Sequence, residues 1–455
     1  MAETHILLVT FPAQGHINPS LQFAKRLSKH GVKITFLTSL YATSRMSQPS
    51  SFHGGAIDLL SFSDGSDAVW SVDETPKFMQ ALNDHGSKAV EDAVAARRAE
   101  GRPFTRVIYT LLVPWAGQVA HRVGVPSTLL WIQPAIVFGV YFHCYNKSFD
   151  AADEVIELPG LPVLRRSDLP SFFHDTNPSV YDFAIPTFTE NFEMLDREDH
   201  PVVLLNTFDA LELEPLRVLT NKYKLMPIGP LIPSAFLDGN DPTDKSFGAD
   251  LIQKSEDYVQ FLDSAEKETV IYVAFGSYSE LSKPQMEAIE EGLIRSGRPF
   301  LWVIRGSENR EKVDGILSRR EELEKRGKIV AWCTQVEVLS HPSVGCFVTH
   351  CGWNSTLESL AAGVPLVALP QWTDQATNAK LVQDYWRSGV RAVKKEGNGE
   401  IVEADEIERC LEIVMGGGEM REQAKKWRDL AKEAIKEDGT SNVNLKIFVD
   451  QMINH

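Results

Sequence analysis

The 455-residue chain has no run of lysine or arginine, and its formal net charge is −16. A nucleic-acid duplex or an anionic membrane surface is therefore repelled overall, and a phosphate ligand needs a local site of its own. Long apolar runs are also missing. The longest, Ser127 to Phe142, contains Gln133 and Pro134 and falls short of the ~20 residues of a membrane span. The amino terminus sets Glu3 before His5 to Phe11 and then breaks the run with Pro12, Gln14 and Gly15, which is not the form of a signal peptide. Cys144, Cys333, Cys346, Cys351 and Cys410 form no Cys-x-x-Cys pair, and Cys346 and Cys351 lack a histidine at zinc spacing. Reduced thiols in a cytoplasmic protein are expected, with no structural metal.

The chain is 43% hydrophobic and 24% charged, ordinary for a folded protein, and it is longer than a single core of ~250–300 residues supports. Short apolar runs recur at His5–Phe11, Val32–Thr38, Thr105–Val113, Ser127–Ile132 and Val202–Thr207. Such runs read as buried parallel strands, and Ser20 to His30, apolar on one face, reads as a crossover helix. After a Pro, Gly and Asp cluster from Ile228 onward the pattern restarts, with strands expected at Val270–Phe275, Pro299–Ile304, Lys328–Trp332, Val344–Thr349 and Pro365–Leu369. The expected organisation is α/β, with two doubly wound domains. A first domain spans 1–232, a linker 233–255 and a second domain 256–437. Residues 438–455 form a terminal helix returning to the first, after a break near Asp438-Gly439. Met415-Gly-Gly-Gly-Glu reads as a loop.

The most informative stretch runs from Trp332 to Gln375. Val344–Thr349 reads as a strand, His350-Cys-Gly352 as a tight turn, and Asn354–Ala362 as a helix ended by Gly363 and Pro365. A helix start after a Gly turn binds phosphate through backbone N–H groups and its dipole, with His350, Asn354 and Ser355 adding donors. Two readings of Ser355-x-x-Glu358 stay open: a capping box, or a carboxylate free to hold ribose hydroxyls. Trp332 reads either as a core aromatic or as a rim residue that stacks on a base. Asp374 and Gln375, at another strand's carboxyl end, offer acceptor and donor groups for sugar hydroxyls.

This stretch resembles the signature box of the plant UDP-glycosyltransferases, inverting enzymes built of two facing Rossmann-like domains of the GT-B type with an interdomain cleft. The likeness extends to Phe11-Pro-Ala-Gln-Gly-His-Ile-Asn-Pro19, Asn206-Thr-Phe208, Ile228-Gly-Pro230 and Phe275-Gly-Ser277. The resemblance implies that Trp332 stacks on uracil, that Cys333 meets it through its backbone, and that Gln335 and Glu358 hold the ribose. It further implies that Ser277, His350, Asn354, Ser355 and the Trp353 backbone bind the diphosphate. Trp372, Asp374 and Gln375 are then expected to hold the transferred sugar, with the terminal Gln associated with glucose. A UDP-sugar as co-substrate, no metal or other cofactor, a monomer, and no nucleic-acid or membrane partner complete the expectation.

His16 follows the first strand in a Gln-Gly-His turn. In proteins similar to this one the matching histidine is the general base that deprotonates the acceptor, a task suited to an imidazole that is mostly neutral at neutral pH. The family's orienting Asp is replaced by Thr110 in Val107-Ile-Tyr-Thr110-Leu. A hydroxyl can fix the imidazole tautomer but cannot offset the charge of an imidazolium, so a weaker base and easily ionised acceptors are expected. The wording Tyr109-Thr-Leu-Leu, Trp131-Ile-Gln-Pro134 and Pro233 to Gly239 resembles the branch that glucosylates flavonoids, anthocyanins and plant carboxylic acids. Acceptor contacts are expected from Trp115, Gln133, Phe138, Tyr141 and Phe183, against core packing as the alternative. Glucose-ester formation and a non-catalytic UDP-sugar binder remain alternatives. A nicotinamide oxidoreductase is excluded by the lack of a Gly-x-Gly-x-x-Gly turn after a strand.

Overall fold

A computed structural model describes residues 4–46, 56–65, 74–174, 179–219, 222–247, 257–305, 317–395 and 401–453. The chain packs as two units: Met1–Pro233 with Pro242–Leu251 and Glu433–His455, and Ser234–Asp241 with Ile252–Lys432. Among the described residues no helix is long and apolar enough to cross a membrane.

The first unit is built on β1 (His5–Val9), β2 (Lys33–Ser39), β3 (Ile57–Phe62), β4 (Arg106–Thr110) and β5 (Ser127–Trp131), with β8 (Val202–Leu205) and β9 (Lys224–Pro227). All are parallel, in the order β3-β2-β1-β4-β5-β8-β9. A small antiparallel pair, β6 (Val155–Ile156) with β7 (Leu164–Arg165), stands apart. The central strands are buried on both faces, which is why they appear in sequence as unbroken apolar runs. Leu445, Phe448, Val449 and Met452 of the last helix, Thr440–Ile453, join this core, and Asn444 Nδ2 donates to Pro227 O at 2.9 Å.

The second unit carries β10 (Val270–Ala274), β11 (Phe300–Val303), β12 (Gly327–Val330), β13 (Val344–Thr349), β14 (Leu366–Ala368) and β15 (Gly389–Arg391). These are again all parallel, in the order β12-β11-β10-β13-β14-β15. In each sheet the strand order reverses at one place, between β1 and β4 in the first and between β10 and β13 in the second. Doubly wound sheets gather ligands at the carboxyl ends of the strands flanking that reversal.

Several expectations need correction. Gln14-Gly-His is not a loop turn: the helix runs Gln14–Ser28, with Pro19 inside it, and the His16 and Ile17 N–H groups both donate to Ala13 O. Met415-Gly-Gly-Gly is interrupted only at Gly417, between the helices Ala404–Gly416 and Gly418–Ala434. The stretch after Ile228, expected as a linker, is hydrogen-bonded to the first helix. Arg26 donates to Ile228 O at 2.9 Å and Pro230 O at 2.7 Å, while Gln22 Nε2 and Lys25 Nζ each reach Asp244 at 2.8 Å.

Candidate active site

In the first unit the feature of interest lies at the carboxyl ends of β1 and β4. His16 sits in the first turn of the helix that follows β1, its ring 5.1 Å from that of Phe11. Its Nδ1 lies 3.4 Å from Oγ1 of Thr110, the last residue of β4, and that oxygen also accepts the Phe11 N–H at 3.3 Å. With one Thr110 lone pair taken by Phe11, the hydroxyl is held fixed against the imidazole. In the tautomer with Nδ1–H donating to Thr110, the Nε2 lone pair is left as the basic site. His16 is partly exposed, yet burial lowers its pKa from the usual 6.5 to about 3, and no carboxylate raises it among the described residues. The neutral form therefore prevails across the physiological range, unsupported by any buried acid.

The residues expected around the acceptor do not behave alike. Phe138 has no exposed surface, and its ring meets the edges of Trp131 and Tyr223 and tilts against Phe192. Enclosed by the core in this way, it is corrected to a packing residue. Tyr141 is buried and stacks on Phe188 and Phe173. Trp115 is buried beneath the helix Thr75–Ala99, where Gly86 makes room for its ring, since a Cβ there would come within 2.3 Å of it. Its Nε1 has no hydrogen-bond partner among the described residues. Gln133 and Phe183 are partly exposed.

In the second unit the predicted donor residues fall into three groups. Trp332 is partly exposed and lies past the end of β12, so it is not the strand residue expected. Gln335, at the start of the helix Gln335–Leu339, donates through Nε2 to Ser355 Oγ at 2.9 Å and to Glu358 Oε2 at 2.8 Å. Its Oε1 accepts from the Tyr272 hydroxyl at 3.3 Å, and that hydroxyl also lies 3.4 Å from Cys333 Sγ. The Tyr272 O–H thus fixes which way the Gln335 amide faces. Burial raises the Glu358 carboxyl from 4.5 to about 7, against the lowering effect of the Gln335 bond.

The second group surrounds the turn after β13. The following helix spans Trp353–Ala362 with Gly352 at its N-cap, and Thr356 N–H donates to Gly352 O at 3.0 Å. Ser355 is therefore the third helical residue and not the cap. The capping-box reading fails, and the Glu358 carboxylate turns to Gln335 instead. The His350 imidazole is wedged between two glycines: a Cβ at Gly276 would lie 2.8 Å from Nε2, and one at Gly352 only 2.6 Å. Thr349 Oγ1 lies 3.2 Å from His350 Nδ1, and burial lowers the imidazole pKa to about 4, so the ring is neutral. Ser277 stands in the loop after β10, which Arg305 ties down by donating to the carbonyls of Ser277 and Ser279. The Trp353 indole is buried 5.9 Å from that of Trp386, which leaves its backbone as the part at the helix start. Asn354 follows it in the first turn.

The third group follows β14. Gln375 Oε1 accepts the N–H groups of Gln371 at 2.8 Å and Trp372 at 3.1 Å, which leaves the amide N–H₂ as the end to offer a ligand. Asp374 accepts from Thr373 Oγ1 at 2.9 Å and Asn378 Nδ2 at 2.7 Å. Burial pushes the Asp374 carboxyl upward, and those bonds pull it back. The Trp372 ring stands 6.4 Å from that of Tyr278. Sequence reasoning passed over Tyr272, Arg305 and Asn378. Tyr272 looks like an ordinary buried mid-strand aromatic and Arg305 like a surface residue past a strand end, while Asn378 lies just past the end of the recognisable box.

Each unit thus places a neutral histidine after a strand at the reversal of its sheet, and the second adds a helix start flanked by hydroxyl, amide and carboxylate groups. That arrangement matches a nucleotide-sugar-dependent transferase. A profile described as "UDP-glucoronosyl and UDP-glucosyl transferase" matches residues 207–433. The chain is 52% identical to UDP-glycosyltransferase 75C1 of Solanum lycopersicum, over 99% of each chain. It is also 52% identical to phloretin 4'-O-glucosyltransferase of Malus domestica, over 99% of this chain and 98% of that one. The crystal structure of Os79 from O. sativa in complex with UDP matches with a TM-score of 0.88 at 32% identity, covering 98% of this chain and 100% of that one. The chain belongs to the UDP-glycosyltransferase family, and it is an enzyme of that class, with the GT-B architecture.

Proposed function

We propose that the protein transfers glucose from UDP-glucose to a phenolic hydroxyl of a small plant metabolite, with inversion at the anomeric carbon. The observation that carries this reading is the His16–Thr110 pair, a neutral imidazole held by a hydroxyl with no carboxylate raising its pKa among the described residues. Such a base removes a proton most readily from a group that ionises easily. Phenols meet that demand better than aliphatic alcohols, and the similarity to a phloretin glucosyltransferase agrees with it.

In this scheme His16 Nε2 takes the acceptor proton as the acceptor oxygen forms its bond to the anomeric carbon. The bond from that carbon to the β-phosphate oxygen breaks, and its electron pair leaves with UDP. The positive end of the helix Trp353–Ala362, together with His350, Ser277, Asn354 and Ser355, stabilises the diphosphate charge that develops. Trp332 stacks on uracil, Gln335 and Glu358 hold the ribose, and Trp372, Asp374 and Gln375 bind the sugar. The five cysteines are free thiols, which fits a reducing compartment such as the cytoplasm.

The test is UDP release from UDP-glucose in the presence of matched phenols, carboxylic acids and aliphatic alcohols. Rapid turnover of phenols with stable product supports the reading. A preference for carboxylic acids, giving alkali-labile esters, moves the assignment to ester formation, and UDP-glucose binding without release under any acceptor defeats it.

A further inference from the structure

Asn378 has no exposed surface and lies one helical turn after Asp374. Its Nδ2 donates both to Asp374 Oδ2 at 2.7 Å and to the backbone carbonyl of Cys351 at 2.8 Å. A carbonyl and an ionised carboxylate only accept hydrogen bonds, so the orientation of this amide is forced; reversed, its oxygen would face two acceptors. The Cys351 carbonyl belongs to the turn that opens the helix Trp353–Ala362, and Cys351 itself has φ 62. Asp374 follows Thr373, which has φ 58. One side chain thus joins the carbonyl of Cys351, itself in left-handed backbone, to the carboxylate of Asp374, whose neighbour Thr373 is left-handed as well. Left-handed backbone at such residues persists only where the surroundings over-determine it. The Asn378 Oδ1 is buried with no partner among the described residues. An unpaired buried carbonyl is destabilising, so the amide is not explained by stability alone.

We propose that Asn378 is a positioning residue that locks the Asp374 carboxylate to the His350–Gly352 turn, so that discrimination of the transferred sugar depends on it. This rests on the placing of the sugar at Asp374 and of the diphosphate at that turn. The neighbouring hydroxyl of Thr373 donates to the other carboxylate oxygen, Oδ1. Without the amide, Asp374 Oδ2 loses its tether and its direction toward sugar hydroxyls, while the helix start that receives phosphate keeps its own backbone geometry.

The experiment measures kcat/KM for UDP-glucose and UDP-galactose, and the Kd of UDP, in Asn378→Leu, Asn378→Ala and Asp374→Ala. Leucine keeps the branched shape of asparagine, at a larger volume, and removes the donor; the Ala variant guards against a misfit of the larger side chain. The glucose-to-galactose ratio is expected to fall at least about fivefold in both Asn378 variants, as for loss of one oriented hydrogen bond, while the Kd of UDP stays within about twofold. An unchanged ratio in these variants, beside a collapsed ratio in Asp374→Ala, overturns the role of Asn378 alone. Equal losses for UDP and both donors, with the ratio constant, mark a packing role and overturn it as well. An unchanged ratio in Asp374→Ala overturns the sugar-site reading and this proposal with it.

Discussion

Placing a carboxylate at position 110 is the sharpest perturbation of the proposed base. Thr110 Oγ1 lies 3.4 Å from His16 Nδ1 and already accepts the Phe11 N–H, so an aspartate of similar size can keep that bond while facing the imidazole. Two unit charges about 4 Å apart at an effective dielectric of about 20 attract by about 4 kcal/mol. At about 1.4 kcal/mol per pH unit, that moves the His16 pKa up by about three, from about 3 to about 6. Only neutral His16 is a competent base. The native enzyme therefore has no acid limb from His16 above about pH 5, whereas Thr110→Asp acquires one near pH 6, with rate rising as pH rises through it. The imidazolium formed during transfer is also stabilised, so poorly ionised acceptors gain most, by about 10–100-fold. The assay is kcat/KM against pH and against acceptor pKa for a series of phenols and alcohols. Thr110→Asn has the same shape without charge and serves as the control. A Thr110→Asp profile and acceptor ranking identical to the native ones refute the reasoning.

Replacing His16 by Ala is expected to lower turnover by about 10²–10⁴ with the UDP affinity unchanged by calorimetry, because all the nucleotide groups proposed here come from the second unit. Glu358 has its pKa raised to about 7, so in its proposed role it accepts ribose hydroxyls fully only when ionised. The affinity for UDP-glucose, whose own phosphates do not titrate in this range, is therefore expected to weaken as pH falls from 8 to 6, and Glu358→Gln to abolish that dependence. Glu212 is fully buried and accepts the N–H groups of Ala135 at 2.8 Å and Ile136 at 2.9 Å. Glu212→Ala is expected to cost about 2–3 kcal/mol of stability, seen as a lower unfolding midpoint, with the donor-sugar preference intact.

The sequence made the interior strands of both sheets plain, because burial on both faces requires apolar runs such as Ile6–Val9 and Val344–Val348. The edge strands were less visible. β3 has Asp58 and Ser61 in its sequence and leaves Leu59 and Leu60 partly exposed, and β9 and β15 are three or four residues long. Gly15 reads in sequence as part of a turn, with the helix expected only from Ser20, although the helix starts at Gln14, accommodates Pro19 and thereby sets His16 in its first turn. The Ser355-x-x-Glu358 ambiguity had no local solution. It is resolved by Gln335, some twenty residues earlier in the chain, which takes the Glu358 carboxylate away from the helix start. Asn378 escaped for a similar reason, since the carbonyl it holds belongs to Cys351 on a different strand's turn.

The account is tested most directly by proton NMR of the product formed from UDP-glucose, whose glucosyl bond is α, and a simple phenol. It predicts a β-linked phenyl glucoside appearing in equal amount with UDP, with both products slowed by about 10²–10⁴ in His16→Ala. An α-linked glucoside, or undiminished β-glucoside from His16→Ala, would contradict it.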